Sequence, residues 1–277
     1  MRALLTLSIV MGLVALYVGW LAAEPWFVAR RRARWRALPF PAEWRAILRR
    51  RVPYVRGLPP DLQLQLKQHM QVFLREKAFI GCRGLDMTDE VRVTIAAQAC
   101  LLLLNRPTGY YPKLRQILVY PGAFLVDRVQ ADGSGVQQNV RQALSGESWS
   151  QGQIILSWDD TLVGAALAND GQNVVIHEFA HQLDQESGPA NGAPPLGPTQ
   201  RRARWAQVMG DAFDRLVHRV ASGQPSLLNA YGATNAAEFF AVATEVFFEQ
   251  PAQLEAEEPA LYRELAALYR VDPLTWR

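Results

Sequence analysis

The chain has 277 residues, enough for one large domain and an appendage. Its net charge of +3 is unevenly placed: residues 1–36 hold six arginines and one glutamate, which leaves the rest at −2, so the body offers no basic surface for nucleic acid. Two cysteines, Cys82 and Cys100, are too few for a disulfide scaffold and lack the spacing of a metal or redox pair; they read as small buried apolar side chains.

From Ala3 to Ala23 no residue is charged. These twenty-one positions, rich in Leu, Val, Ala and Ile, make a helix long enough to cross a hydrocarbon core of about 30 Å. Trp20, Trp26 and Phe27 lie where an aromatic belt would sit, and five arginines follow between Arg30 and Arg36. The positive-inside rule keeps that cluster cytoplasmic, so the N-terminus faces out and the body faces in. A cleaved signal peptide competes with this reading, but its n-region has only Arg2, and the arginines after the apolar run oppose translocation. The expected organisation is a transmembrane anchor over residues 1–28, a basic juxtamembrane linker over 29–40 and one large domain over 41–277 at the inner membrane face.

Residues 36–60, rich in Pro and Arg, read as a linker around one short helix near 43–50. A helix over residues 61–77 carries Leu62, Leu66, Met70, Phe73 and Leu74 on one stripe. Thr88 caps another helix, with Asp89 and Glu90 in its first turn, that runs to near Asn105 before Pro107. Residues 116–126 and 153–158 are rich in β-branched side chains and read as strands. The second is either a sheet edge able to pair with an extended peptide or an ordinary core strand. Between them, residues 130–150 are polar and Gly-rich, a hairpin or a long loop. Further helices cover residues 201–222 and 259–269.

The stretch 174–184 contains His177-Glu178-Phe179-Ala180-His181 in a run without a helix breaker; Asn173 or Asp170 caps its start and Gly188-Pro189 ends it. On a helix, His177 and His181 share a face, and each can give a nitrogen to one Zn²⁺ at roughly 2.0–2.1 Å. Glu178 can then reach the metal-bound water as general base. The bland alternative is a half-buried helix with two solvated histidines. Asp184, seven residues after His177, falls on the same face and either orients a ligand histidine or pairs with an arginine.

A catalytic zinc needs a third protein ligand and one open position. Ser187 stands where a metzincin has its third histidine, which excludes that class. His218 is available, but Arg215 and Arg219 flank it as on a solvated helix face. The stronger candidate is Glu238, in an apolar helical segment with Glu245 seven residues further on. Carboxylates on an apolar face are costly unless paired or metal-bound. Glu238 also reads as a capping-box glutamate, because Asn235 sits three residues before it.

Several blocks resemble the Mlc titration factor A (MtfA) family of zinc peptidases. They are residues 146–150 (Gly-Glu-Ser-Trp-Ser), 156–160 (Leu-Ser-Trp-Asp-Asp), 173–184, the loop 188–196 and residues 237–242, with upstream matches at 85–100 and 117–122. The resemblance covers the chain from about Phe40 onward. It implies a gluzincin-like site related to the catalytic domain of anthrax lethal factor. In that site His177, His181 and Glu238 hold zinc, Glu178 is the base and Tyr231 supplies a phenol near the reaction centre. The apolar span departs from soluble members of the family. The expected protein is therefore an α+β zincin with a helical N-terminal part, preceded by one transmembrane helix, that hydrolyses peptide bonds in peptide or protein substrates. The rival reading is a zinc-stabilised binding module that sequesters a transcriptional repressor, a partner that the family's name implies; the presence of Glu178 favours the enzyme.

Overall fold

The computed structural model describes residues 2–131, 137–144, 146–149, 152–166 and 169–276. The chain forms two units, Met1–Pro39 and Phe40–Arg277. The first is a single helix, α1 (Arg2–Arg36), unbroken through Pro25 and the arginine cluster. The stretch expected as a basic linker is thus helical as far as Arg36. Arg30 stacks over Trp26 at 5.5 Å and Arg31 over Trp35 at 5.1 Å, each pair one turn apart. From Ile9 onward α1 is long and apolar enough to cross a membrane, and Trp20, Trp26 and Phe27 are exposed.

In the second unit, residues 40–60 are packed rather than a linker. They form α2 (Ala42–Arg51) and a 3-10 turn, Pro53–Gly57. The Pro and Arg content conceals an apolar pattern: Leu48, Val52, Val55 and Leu58 turn inward and are buried. Arg50 and Arg51 meanwhile pair with Glu90 outside the core. α3 (Pro60–Glu76) buries the expected stripe, from Leu62 to Leu74, without exception. A short strand, β1 (Ala78–Gly81), leads to α4 (Asp89–Leu101), where Thr88 Oγ1 accepts from the Val91 N–H as a cap. α4 ends at Leu101, a turn earlier than expected, and Asn105 beyond it is left-handed with φ of 55°.

The expected strand over residues 116–126 is two strands, because Pro121-Gly122 breaks it. β2 (Gln116–Tyr120) joins the main sheet, whereas β3 (Phe124–Ala131) pairs antiparallel with β4 (Gln137–Leu144) as a separate hairpin. Of the stretch expected as a hairpin or long loop, residues 132–136, 145 and 150 lie outside the described residues. β5 (Gly146–Trp149) and β6 (Gln153–Ser157) complete a four-stranded sheet in the order β1-β2-β6-β5. β1, β2 and β6 run parallel, and β5 runs antiparallel to β6.

This order corrects the candidate sheet edge. Residues 153–157 form an interior strand, hydrogen-bonded to β2 on one side and β5 on the other, and the outer strands are β1 and β5. The run Ile154-Ile155-Leu156, buried throughout, carries the signature of a strand covered on both faces.

Six helices follow: α5 (Trp158–Ala166), α6 (Val174–Asp184), α7 (Arg202–Ala221), α8 (Ala236–Glu249), α9 (Pro251–Glu257) and α10 (Pro259–Tyr269). The architecture is helix-dominant around a small, mainly parallel sheet. α6 runs through the core: Val175, Ile176, Phe179, Ala180 and Leu183 are buried. The Phe179 ring meets Tyr111 at 4.8 Å and Phe73 of α3 at 5.7 Å. α6 ends at Asp184, followed by a 3-10 turn, rather than running on to Gly188.

Candidate metal centre

Asn173 Oδ1 accepts from the Ile176 N–H and starts α6, which puts His177 and His181 on the face opposite Phe179. Asn235 Oδ1 accepts from the N–H groups of Ala237 and Glu238 and starts α8. Because Asn235 alone provides the cap, the Glu238 side chain does not close a capping box. It reaches across to α6, where Glu238 Oε2 lies 3.0 Å from His177 Nε2 and 3.1 Å from His181 Nε2. The two Nε2 atoms are 3.2 Å apart.

Three electron-pair donors therefore converge on one point, within 4.8 Å of one another. Ligands of a tetrahedral ion at roughly 2.0–2.1 Å sit about 3.3 Å from each other, so the spacing fits a metal of zinc's size. Two imidazoles and one carboxylate are a donor set that suits a borderline divalent ion.

The electrostatics agree. Burial opposes ionisation of Glu238, but the hydrogen bonds and charge of the two histidines outweigh it and hold the carboxyl far below the usual range. Burial likewise opposes a charge on His177. Glu245 first, then Glu238 and Glu178, more than offset it, so the imidazole is held well above its ordinary value. A buried site this rich in carboxylates calls for positive charge.

Glu245, one of the two acids noted on the apolar helix, sits behind His177: its Oε1 is 2.7 Å from His177 Nδ1. Accepting at Nδ1–H leaves the Nε2 lone pair facing Glu238 and His181. Glu245 Oε2 also accepts from the Asn173 N–H. Glu178 and Tyr231 line the same cavity of about 340 Å³ as His177, with Asp160 and Asp170 at its sides. The Tyr231 ring is 6.0 Å from that of His177 and half-exposed. His218 is exposed in the last turn of α7, away from this cluster.

Asp184 does neither of the things its spacing suggests. Fully buried, it accepts from three successive backbone N–H groups, those of Asn191, Gly192 and Ala193, at 2.7–2.9 Å. The loop it holds packs on α8: Gly192 has φ of 77°, and a Cβ there would come within 2.5 Å of the Ala236 carbonyl oxygen. Trp205 Nε1 donates to the Gly192 carbonyl from the other side. Asp184 thus sets where the first turn of α8, and Glu238 with it, meets α6.

Sequence reasoning also missed Glu249. Its Oε1 accepts from Asn173 Nδ2 and its Oε2 from the Gly171 N–H, bracing the start of α6. The signal was available, since Glu238, Glu245 and Glu249 follow one another at helical spacing on an apolar helix.

Gly192→Ala should therefore cost on the order of 1–3 kcal/mol of stability through left-handed backbone strain. It should also loosen the metal site, because its Cβ would push on Ala236. Gly210→Ala, in the interior of α7 with open space around it, should leave both unchanged or slightly raise stability. Thermal unfolding and metal retention, measured side by side, check the contrast.

The model of a family described as glucose-regulated metallo-peptidase M90 matches residues 26–270. A protein of Synechocystis sp., described as uncharacterized, is 38% identical over 271 residues, 98% of this chain and 97% of its own length. Mlc titration factor A of Escherichia fergusonii is 33% identical over 225 residues, 80% of this chain and 84% of its own. The Mlc titration factor A of a Klebsiella pneumoniae strain is 32% identical over the same shares. With a family model spanning most of its length and relatives above 30% identity along nearly all of theirs, this chain belongs to the glucose-regulated metallo-peptidase M90 family.

Proposed function

We propose that this protein is a zinc-dependent peptidase, tethered by α1 with its body on the cytoplasmic side of the membrane. The observation that carries the reading is the convergence of His177, His181 and Glu238 beside a cavity lined by His177 and Glu178. When bound, the metal supplies a Lewis acid that polarises the scissile carbonyl and lowers the pKa of the attacking water.

His177, His181 and Glu238 would hold the ion. Glu245 fixes the tautomer and angle of His177. Glu178 takes a proton from the attacking water and hands it to the leaving amine. The Tyr231 phenol, at the mouth, donates a hydrogen bond to the carbonyl oxygen as negative charge develops there. An extended substrate can pair with β5, an outer strand of the sheet, which packs beside α6.

The name Mlc titration factor A, carried by relatives of this chain, supports a second reading in which the body also binds a transcriptional regulator. The two readings are compatible, and turnover by the metal-loaded protein separates them.

The boundaries that serve this function are a membrane anchor, its basic helical continuation and the peptidase body. The Synechocystis relative supports treating the anchor as part of the protein, since a match over 98% of this chain takes in α1.

Glu238→Ala should lose metal to dialysis against a chelator that leaves the parent chain fully loaded; equal retention would remove Glu238 from the ligand set. Glu178→Gln should keep both fold and metal while kcat/KM against a peptide library falls about 10²–10⁴-fold, the usual worth of a positioned base. The full chain should stay with membranes in high salt, which screens surface charge over about 8–10 Å. Protease should reach its body only from the cytoplasmic face; digestion from outside intact spheroplasts would invert the topology.

A further inference from the structure

Behind the metal helix lies a second cavity, of about 410 Å³. It is bounded by the 3-10 turn Pro53–Gly57, the end of α8 and the segment around Trp276. Its size falls within the roughly 300–1,000 Å³ of small-molecule sites. Leu101, Ile176 and Phe248 give it an apolar wall.

Two polar groups of this lining are out of place. Tyr54 Oη and Trp276 Nε1 are both buried, and neither has a hydrogen-bond partner among the described residues. A buried polar group without a partner is destabilising, so two in one cavity favour an occupant that supplies acceptors. An indole N–H can only donate. Burial, followed by the nearby Glu249, holds the Tyr54 phenol well above its ordinary range, so it too stays a neutral O–H donor.

The carboxyl group in the lining is already engaged. Both oxygens of Glu249 accept hydrogen bonds from Asn173 and Gly171. Burial pushes Glu249 up to about 8, so it places little negative charge in the cavity at neutral pH. Arg56, whose Nη2 also donates to the Arg49 carbonyl, adds a cation to the lining. Two unspent donors and a guanidinium around an apolar hollow suit a ligand with an anionic, acceptor-only head and a hydrophobic body.

We propose that this cavity binds a small apolar monocarboxylate, an aromatic or short aliphatic acid, whose head is held by Tyr54, Trp276 and Arg56. Its body rests on Ile176, the residue before His177, so the site backs directly onto the metal helix. The site is separate from the metal cleft and does not depend on peptidase activity.

The test is fluorine NMR of 4-fluorophenylacetate titrated into the full chain in lipid nanodiscs, with empty nanodiscs as background. Saturable line broadening is expected from the protein. The neutral 4-fluorophenylacetamide should bind at least tenfold more weakly. Tyr54→Phe keeps its ring and Trp276→Phe keeps an aromatic side chain without the N–H; each should weaken binding about 10–100-fold, as expected for a hydrogen bond to a charged group. Should either fail to fold, Arg56→Gln, an exposed change, should still weaken binding several-fold. No broadening above empty nanodiscs, or equal binding of acid and amide, would overturn the proposal. So would binding that survives all three variants but disappears with a chelator, because the acid would then sit on the metal.

Discussion

His177 is held between two carboxylates, and much of the second unit is arranged to keep it there. Glu245 takes Nδ1, Glu238 faces Nε2, and both belong to α8, while His177 belongs to α6. Bringing that much acid into a mostly buried space is unfavourable unless cations or protons balance it. A divalent ion between His177, His181 and Glu238 would meet the requirement with the donors already in place. Site chemistry and helix packing are thus one constraint: α6 and α8 can lie side by side at this point only if their charges are compensated.

The supports around this contact are polar and specific. Asn173 caps α6 with its carbonyl oxygen, ties it to Gly164 and Glu249 with its amide, and donates its backbone N–H to Glu245. Asp184 at the other end of α6 gathers three N–H groups of the 191–193 loop, whose Gly192 abuts the start of α8. The two ends of α6 are therefore both linked to α8, one through Glu245 and Glu249, the other through a loop. Networks of this kind are stiff because each member, once buried, is costly to leave unpaired. Stiffness is what a metal site needs to hold its ligands at fixed spacing.

The apolar face of α6 does the complementary work. Phe179 anchors the helix against Phe73 and Tyr111, so that the histidine face is presented outward from a packed core. Ile176 lies one residue from His177 and lines a different cavity, so one short helix separates two chemically distinct hollows. α1 stands apart as a unit with its own logic: apolar all round, then densely basic, suited to a bilayer and its surface rather than to a protein core.

What the sequence determined by itself was local. The 3.6-residue period puts His177 and His181 on one face, and Thr88, Asn173 and Asn235 cap the helices that follow them, because a cap and a turn involve residues a few positions apart. The uncharged span and its arginines were legible for the same reason. Tertiary structure decided what depends on distant segments meeting. Glu238, favoured as a ligand, also had a reading as a capping-box partner, and the approach of α8 to α6 turned it toward the histidines. The edge of the sheet passed from β6 to β5 because strand order is set by which neighbours pair, and an apolar run does not reveal that. Asp184 had the spacing of a ligand support, yet it serves a loop, since three backbone N–H groups brought beside it by the fold outbid any partner along its own helix.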